Sequence, residues 1–283
     1  MSAIDIEIRQ AIHPEHAEGM STAELRKHFL VTGLFQPGRI KAVYTHYDRM
    51  ILMGLMPTKG PLAFGPELAQ LVKAEDFLAR REIGLFNLGG AGRVRAGGKT
   101  YELGRYDALY LPMGTHNVLI ESAHGDDPAL FYANSAPAHH AHPAHLMKLG
   151  ALQGDELGAE ASANRRTLTK YMHPGAFPTC QLVMGRTAMH NGSVWNTMPP
   201  HTHDRRMEAY LYHDLPEGQA VFHFMGRPDH TRHLVVRNHE AILSPPWSIH
   251  CGSGTSAYAF IWSMAGDNQT FTDMDAVPVP TLF

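Results

Sequence analysis

Two histidines separated by one residue and followed five positions later by a carboxylate form the most chemically informative segment of the chain: Pro199-Pro200-His201-Thr202-His203-Asp204-Arg205-Arg206-Met207-Glu208. Side chains alternate in direction along an extended strand, so a His-x-His pair presents both imidazoles to one side. Beyond a short turn, Glu208 can return on the neighbouring strand and offer a carboxylate oxygen. A second segment, Ser244-Pro245-Pro246-Trp247-Ser248-Ile249-His250, brings a third imidazole from later in the chain. Three imidazole nitrogens and one carboxylate oxygen suit zinc, manganese, iron or nickel, and the lack of thiolate argues against a purely structural Cys-rich zinc site.

A lone histidine is more often a hydrogen-bonded core or surface residue than a ligand, and with 20 histidines in the chain a His-x-His pair arises easily by chance. His140 and His142 form a second such pair. Together with His139 and His145 they sit among Ala and Pro with no strand pattern, so they read as a solvated loop; a catalytic site needs a rigid scaffold. What chance supplies poorly is the His-x-His pair, the later Glu and a Pro-led His together. The glycines at 89, 90, 92, 97 and 98 lack a following helix and read as hairpin turns, not as a dinucleotide fingerprint.

The elements that must position these groups are short β-rich runs broken by Gly, Pro, Asn and Asp. One block holds residues 40–47, 83–88, 108–111 and 118–121. The texture returns at 181–185, 208–212, 221–224, 233–236 and 258–262. Many short strands with close turn signals predict a sandwich or barrel, an all-β fold. Only two helices are expected. One has Ser21 and Glu24 as a capping box with Leu25, Phe29 and Leu30 at helical spacing; a shorter one follows Pro66 through Leu68 and Leu71. Between the β-rich blocks, residues 136–163 are rich in Ala, Gly and His. The expected division is therefore a barrel over 1–140, a linker over 141–163 and a metal-binding barrel over 164–283. GRYDALYLPMGTHNVLI in the first block faintly echoes NHEAILSPPWSIHCGSG in the second, as two copies of one barrel would.

Bulk properties narrow the function classes. The chain has 283 residues, 44% hydrophobic and 18% charged, with net charge -3. That composition supports a real core and gives no sign of a nucleic-acid or anionic-membrane partner. No apolar run is long enough for a membrane helix, MSAIDIEIRQ lacks a secretory h-region, and two cysteines make a reducing cytoplasm the default.

His-x-His-x4-Glu followed by Pro-x-Trp-x-x-His resembles the two metal motifs of cupins, with Trp247 where many cupins carry glycine. The runs GSVWNTMPPHTHDRRMEAYLYHDL and VFHFMGRPDHTRHLVVRNHEAILSPPWSIHCGSGTSAYAFIWSMAGDNQTFTDMD resemble the 5-keto-4-deoxyuronate isomerase family more closely still. RQAIHPEHA, LRKHFLV, YTHYDRMILMGLMP, FLARREIGLFNLGGAG, YANSAPAH, SANRRTLTKY and TCQLVMG extend that resemblance over nearly the whole chain. It implies a bicupin, two double-stranded β-helix (jelly-roll) barrels with short N-terminal helices, assembled as a cytoplasmic homohexamer. It implies one zinc ion per subunit on His201, His203, Glu208 and His250, and an aldose–ketose isomerisation in pectin and uronate breakdown. The reaction would convert 4-deoxy-L-threo-5-hexosulose uronate to 3-deoxy-D-glycero-2,5-hexodiulosonate through an enediol. The first barrel, whose Pro112–His116 segment has no His-x-His partner upstream, is expected to hold no metal.

For that reaction a divalent cation can carry negative charge developing at the C1 and C2 oxygens. With four protein ligands, such a role needs zinc to exceed four-coordination or Glu208 to swing off as a base; otherwise the metal is structural. Glu208, Tyr210 and His223 are the proton-transfer candidates. A carboxylate substrate calls for a cationic fork, and Arg165, Arg166, Lys170, Arg205 and Arg206 are the candidates, each equally readable as a surface or intersubunit ion pair. Trp195 and Trp247 could line a sugar pocket, whereas Trp262 reads as core. The same ligand set would also serve an iron-dependent cupin dioxygenase, a related isomerase of 5-deoxy-glucuronate, or a non-catalytic bicupin that binds sugar acids.

Overall fold

The computed structural model describes residues 3–267, 269–270 and 272–283. It is mostly β-sheet, with three α-helices among the described residues: Pro14–Glu18, Thr22–Phe29 and Pro66–Leu71. The second and third are the ones the sequence predicts. Ser21 accepts the Glu24 backbone N–H at 3.3 Å while the Glu24 carboxylate accepts the Ser21 N–H at 2.8 Å, satisfying donors that a helix start leaves open. Leu25 and Phe29, one turn apart, are buried. None of the described helices is long and apolar enough to cross a membrane.

The chain divides into two compact units. The first comprises residues 1–9, 33–152 and 171–183. Its seven-stranded sheet runs, in spatial order, Ile4–Arg9, Arg39–Thr45, Ile51–Met56, Phe131–Pro137, Arg81–Asn87, Ala108–Leu111 and His145–Met147. A four-stranded sheet of Leu62–Ala63, Leu119–Ser122, Gly92–Ala96 and Lys99–Leu103 accompanies it. Gly97 and Gly98 both have positive φ (55° and 74°) and turn the hairpin between the last two strands, the role their spacing predicts.

The second unit comprises residues 10–32, 153–170 and 184–283. Its seven-stranded sheet runs Gly154–Leu157, Arg166–Met172, Val183–Met189, Ala259–Gly266, Arg206–His213, Ala241–Ser244 and Leu30–Val31. Its four-stranded sheet runs Trp195–Asn196, Cys251–Gly254, Val221–Arg227 and His230–Val236. A two-residue ladder pairs His201 with Ala276 and Thr202 with Asp275.

The division differs from the contiguous one expected from sequence in three respects. Residues 171–183, expected in the second barrel, belong to the first unit. Residues 10–32 belong to the second unit, because Leu30 and Val31 pair with Ile242 and Ala241. The expected linker also carries structure: His145–Met147 pairs with Ala108–Leu111, and Gly154–Leu157 with Arg166–Met172. Both strands are short: His145–Met147 has too few residues to show an alternation, and Gly154–Leu157 hides its own behind a glycine and two acidic residues.

Candidate metal centre

The strand Arg206–His213 is buried along its whole length, and its alternation sends Glu208, Tyr210 and Tyr212 to one face. His201 and His203 straddle the end of the two-residue strand His201–Thr202, and the His203 N–H donates to the Pro246 carbonyl at 3.2 Å. That bond ties the first motif to the second, in which His250 stands immediately before Cys251–Gly254.

The four side chains converge. His201 Nε2 lies 3.2 Å from His203 Nε2 and 3.0 Å from His250 Nε2, while a Glu208 oxygen lies 3.3 Å from His203 Nε2 and 2.9 Å from His250 Nε2. Donors held ~2.0–2.2 Å from one ion sit about 3.0–3.4 Å from each other, so these separations match the edges of a coordination shell. Among the described residues this is the one group of metal-capable side chains whose donor atoms all lie within 4.8 Å of one another. Three imidazole nitrogens and a carboxylate oxygen fit a divalent transition ion.

Surrounding groups orient the rings. The Asp273 carbonyl can only accept, so His203 Nδ1 donates to it (2.8 Å), leaving the Nε2 lone pair turned to the cluster. Ser244 Oγ lies 3.4 Å from His250 Nδ1. Burial, reinforced by His250, pushes the His201 imidazole down to about 3 and keeps it neutral, the form a ligand needs. Burial alone would raise the Glu208 carboxyl, but the facing His250 and His203 rings hold it below the usual carboxylate range.

Beside the cluster opens a cavity of about 320 Å³ lined by Arg166, Leu168, Thr187, Thr197, Met198, Pro199, His201, His203, Glu208, Tyr210, Phe260, Trp262, Met264 and Met274. Of the proton-transfer candidates, Glu208 and Tyr210 reach it. Burial holds the Tyr210 hydroxyl well above its ordinary range, and it lies 3.5 Å from Thr197 Oγ1. His223 does not reach the cavity: it is fully buried, its Nδ1 2.7 Å from the Tyr212 hydroxyl.

Arg166 is the one cation on the lining. Its Nη1 donates to the Asn164 carbonyl at 2.8 Å. The other proposed cations lie elsewhere. Arg165 pairs with Glu160 at 2.9 Å, Lys170 with Asp155 at 2.9 Å and Arg205 with Asp267 at 3.1 Å. Arg206 is buried, and its guanidinium donates to the carbonyls of Thr270 (2.7 Å) and Asp273 (2.9 Å), so it braces the backbone that orients His203. Arg81 does the same in the first unit, donating to the carbonyls of Arg49 and Ser135.

The tryptophans also exchange roles. Trp195 stacks on Phe224 and Trp247 meets Phe29 edge-on, both off the cavity, whereas Trp262 forms part of its wall. His139, His140 and His142 lie in the first unit on a largely exposed stretch outside any strand, whereas His145, also read as loop, opens the strand His145–Met147 and stacks on Phe177. His116, the counterpart in the echoed motif, is also exposed and lies 3.2 Å from Asp76.

Comparison with known proteins gives the arrangement its context. The chain is 51% identical over 277 residues to the 4-deoxy-L-threo-5-hexosulose-uronate ketol-isomerase of Cereibacter sphaeroides, covering 98% of each chain. Among solved structures it resembles an IolB-like protein from Salmonella typhimurium LT2, with TM-score 0.65, 15% identity and coverage of 81% of this chain and 87% of that one. It also resembles the oxalate decarboxylase of Lactobacillus farciminis, with TM-score 0.56, 10% identity and coverage of 81% and 79%. The family model described as KduI/IolB matches residues 63–278. On this match, which spans both halves of the metal-capable cluster, the chain belongs to the KduI/IolB family.

Proposed function

We propose that the protein is an aldose–ketose isomerase that converts 4-deoxy-L-threo-5-hexosulose uronate to 3-deoxy-D-glycero-2,5-hexodiulosonate. One observation carries this reading: a relative bearing that activity's name matches the chain end to end at 51% identity, and the match includes a cavity with four converging donors. In this reading the two units are a pair of cupin barrels, and the protein works in the cytoplasm as a hexamer on a small uronate.

His201, His203, Glu208 and His250 would hold the ion, zinc in this reading. When bound, it supplies Lewis-acid polarisation of the substrate's oxygens. The chain supplies the rest. Arg166, desolvated by partial burial, offers its guanidinium to the substrate carboxylate. Tyr210, protonated and facing the cavity beside Glu208, holds a proton where C1 and C2 exchange one. The wall of Phe260, Trp262 and Met264 excludes water from the reacting carbons.

Purified protein should turn over the deoxy-hexosulose uronate, lose that activity on treatment with a chelator, and regain it on adding back a divalent ion. Absence of turnover in protein shown by metal analysis to be loaded would reject the reading.

A further inference from the structure

The anionic and cationic ends of the cavity stand on different strands of one sheet, and the strand adjoining the Glu208 strand turns two aromatic rings and a thioether inward, the indole N–H being their one hydrogen-bond donor. The spatial order is Arg166–Met172, Val183–Met189, Ala259–Gly266, Arg206–His213, so Arg166 and Glu208 stand three strand spacings apart, ~14 Å. Ala259–Gly266 contributes Phe260, Trp262 and Met264 to the lining. In register, Trp262 lies opposite Tyr210 and Met264 opposite Glu208. The indole leans the other way, over Val183–Met189, where Gly185 leaves a notch. A Cβ at Gly185 would overlap the Trp262 ring and the Thr169 carbonyl oxygen. With no side chain there, the ring covers the floor between the four-donor cluster and Arg166. Thr187, one strand nearer Arg166, is the polar neighbour on that side.

We propose that Trp262, bedded over Gly185 with Met264 beside it, is the specificity-determining floor that selects a substrate lacking a hydroxyl at C4. The inference rests on the isomerase reading above. A six-carbon acid with its carboxylate on Arg166 and its C1 and C2 oxygens at the four-donor end must lay its middle carbons across this floor. A methylene there keeps dispersion contact with the indole. A hydroxyl there gives up water and meets only the indole face and a weakly accepting thioether. Apolar sites reject such an added hydroxyl by about 10- to 100-fold.

The test is the ratio of kcat/KM for the 4-deoxy substrate to that for the hexosulose uronate that keeps its C4 hydroxyl. Wild type should favour the deoxy compound at least ~10-fold. Trp262→Gln, which supplies an amide, should narrow the ratio about tenfold, whereas Trp262→Phe should preserve it. Metal content and circular dichroism report whether each variant is folded and loaded, and Met264→Gln provides a second, milder probe in the same direction. A wild-type ratio near one overturns the proposal. So does an unchanged ratio in folded Gln variants, because a merely structural role lowers both rates together. If metal-loaded wild type turns over neither compound, the isomerase reading falls and takes this inference with it.

Discussion

Ile83 and Leu85, on the strand Arg81–Asn87, belong to an apolar cluster with Leu109, Leu111, Val94 and Ile120 in the first unit. The strand at the same place in the second unit's sheet order, Arg206–His213, turns Glu208 and Tyr210 inward instead. Both strands carry a buried arginine that holds backbone carbonyls, so the architectural device is common and the interior differs. The inward face of the first strand therefore needs no polar group. Glu82, on the opposite face of that strand, is buried but accepts from the Tyr110 hydroxyl and the backbone N–H groups of Cys180, Gln181 and Leu182. Desolvated imidazoles cost folding free energy wherever they lack partners, and the buried histidines among the described residues, His203, His213, His223 and His250, all fall in the second unit, which marks where chemistry outweighed packing.

Single substitutions can test that contrast. The largest effect should come from the ligands. His201→Ala or His250→Ala should lose the ion and about a thousandfold or more in turnover, given the several kcal/mol a Lewis acid contributes, while circular dichroism stays unchanged. Full metal occupancy in both variants would break the assignment. Next, a reciprocal exchange weighs the two interiors. Ile83→Glu places an unpartnered carboxylate in an apolar core and should cost ~4 kcal/mol or more in denaturant melts. Glu208→Ile should leave stability equal or higher while abolishing activity. A Glu208→Ile variant that unfolds would show the ligand set to be structural.

A smaller effect is expected at the cationic end. Arg166→Ala should lower kcat/KM by about 10- to 100-fold, chiefly through KM, whereas Arg205→Ala, which breaks an exposed pair with Asp267, should change neither KM nor stability measurably. Equal effects at the two positions would remove Arg166 from its proposed role. A separate effect, on stability and not on turnover, concerns pH. Burial pushes the fully buried His213 imidazole down to about 4 against the pull of Asp214. The unfolded chain then binds the proton more tightly, so this residue's contribution is complete above about pH 6.5 and lost as pH falls toward 4, ~3 kcal/mol in all. The midpoints of urea melts should fall as pH is lowered across that range, and His213→Gln should flatten that dependence.

The four converging side chains were legible because their signals are local: an alternating pair, a carboxylate one turn away, and a proline-led histidine. The capping box and the Gly97-Gly98 turn were legible for the same reason. The cavity wall was not. Ala259–Gly266 is buried at every position, so no alternation shows which residues face the cavity and which face the core, and Trp262 reads as packing until register is known. Arg206 reads as a clamp because a sequence shows a charge but not the carbonyls it meets. The assignment of residues 10–32 to the second unit rests on a two-residue strand, too short to leave a pattern, and on arginine–carbonyl bonds such as Arg232 to Glu18 and Met20 and Arg26 to Val235, which a sequence does not show.

That assignment has a consequence for how the protein is made. The helix Thr22–Phe29 and the strand Leu30–Val31 leave the ribosome early, yet Ala241 and Ile242, with which the strand pairs, follow roughly 200 residues later. At ~5–20 residues per second the wait is about 10–40 s. Through that interval Leu25, Phe29 and Val31, all buried in the finished fold, have no partner strand to cover them. This stretch is therefore one where a nascent chain would engage a chaperone, and faster elongation would shorten the interval in which it stands uncovered.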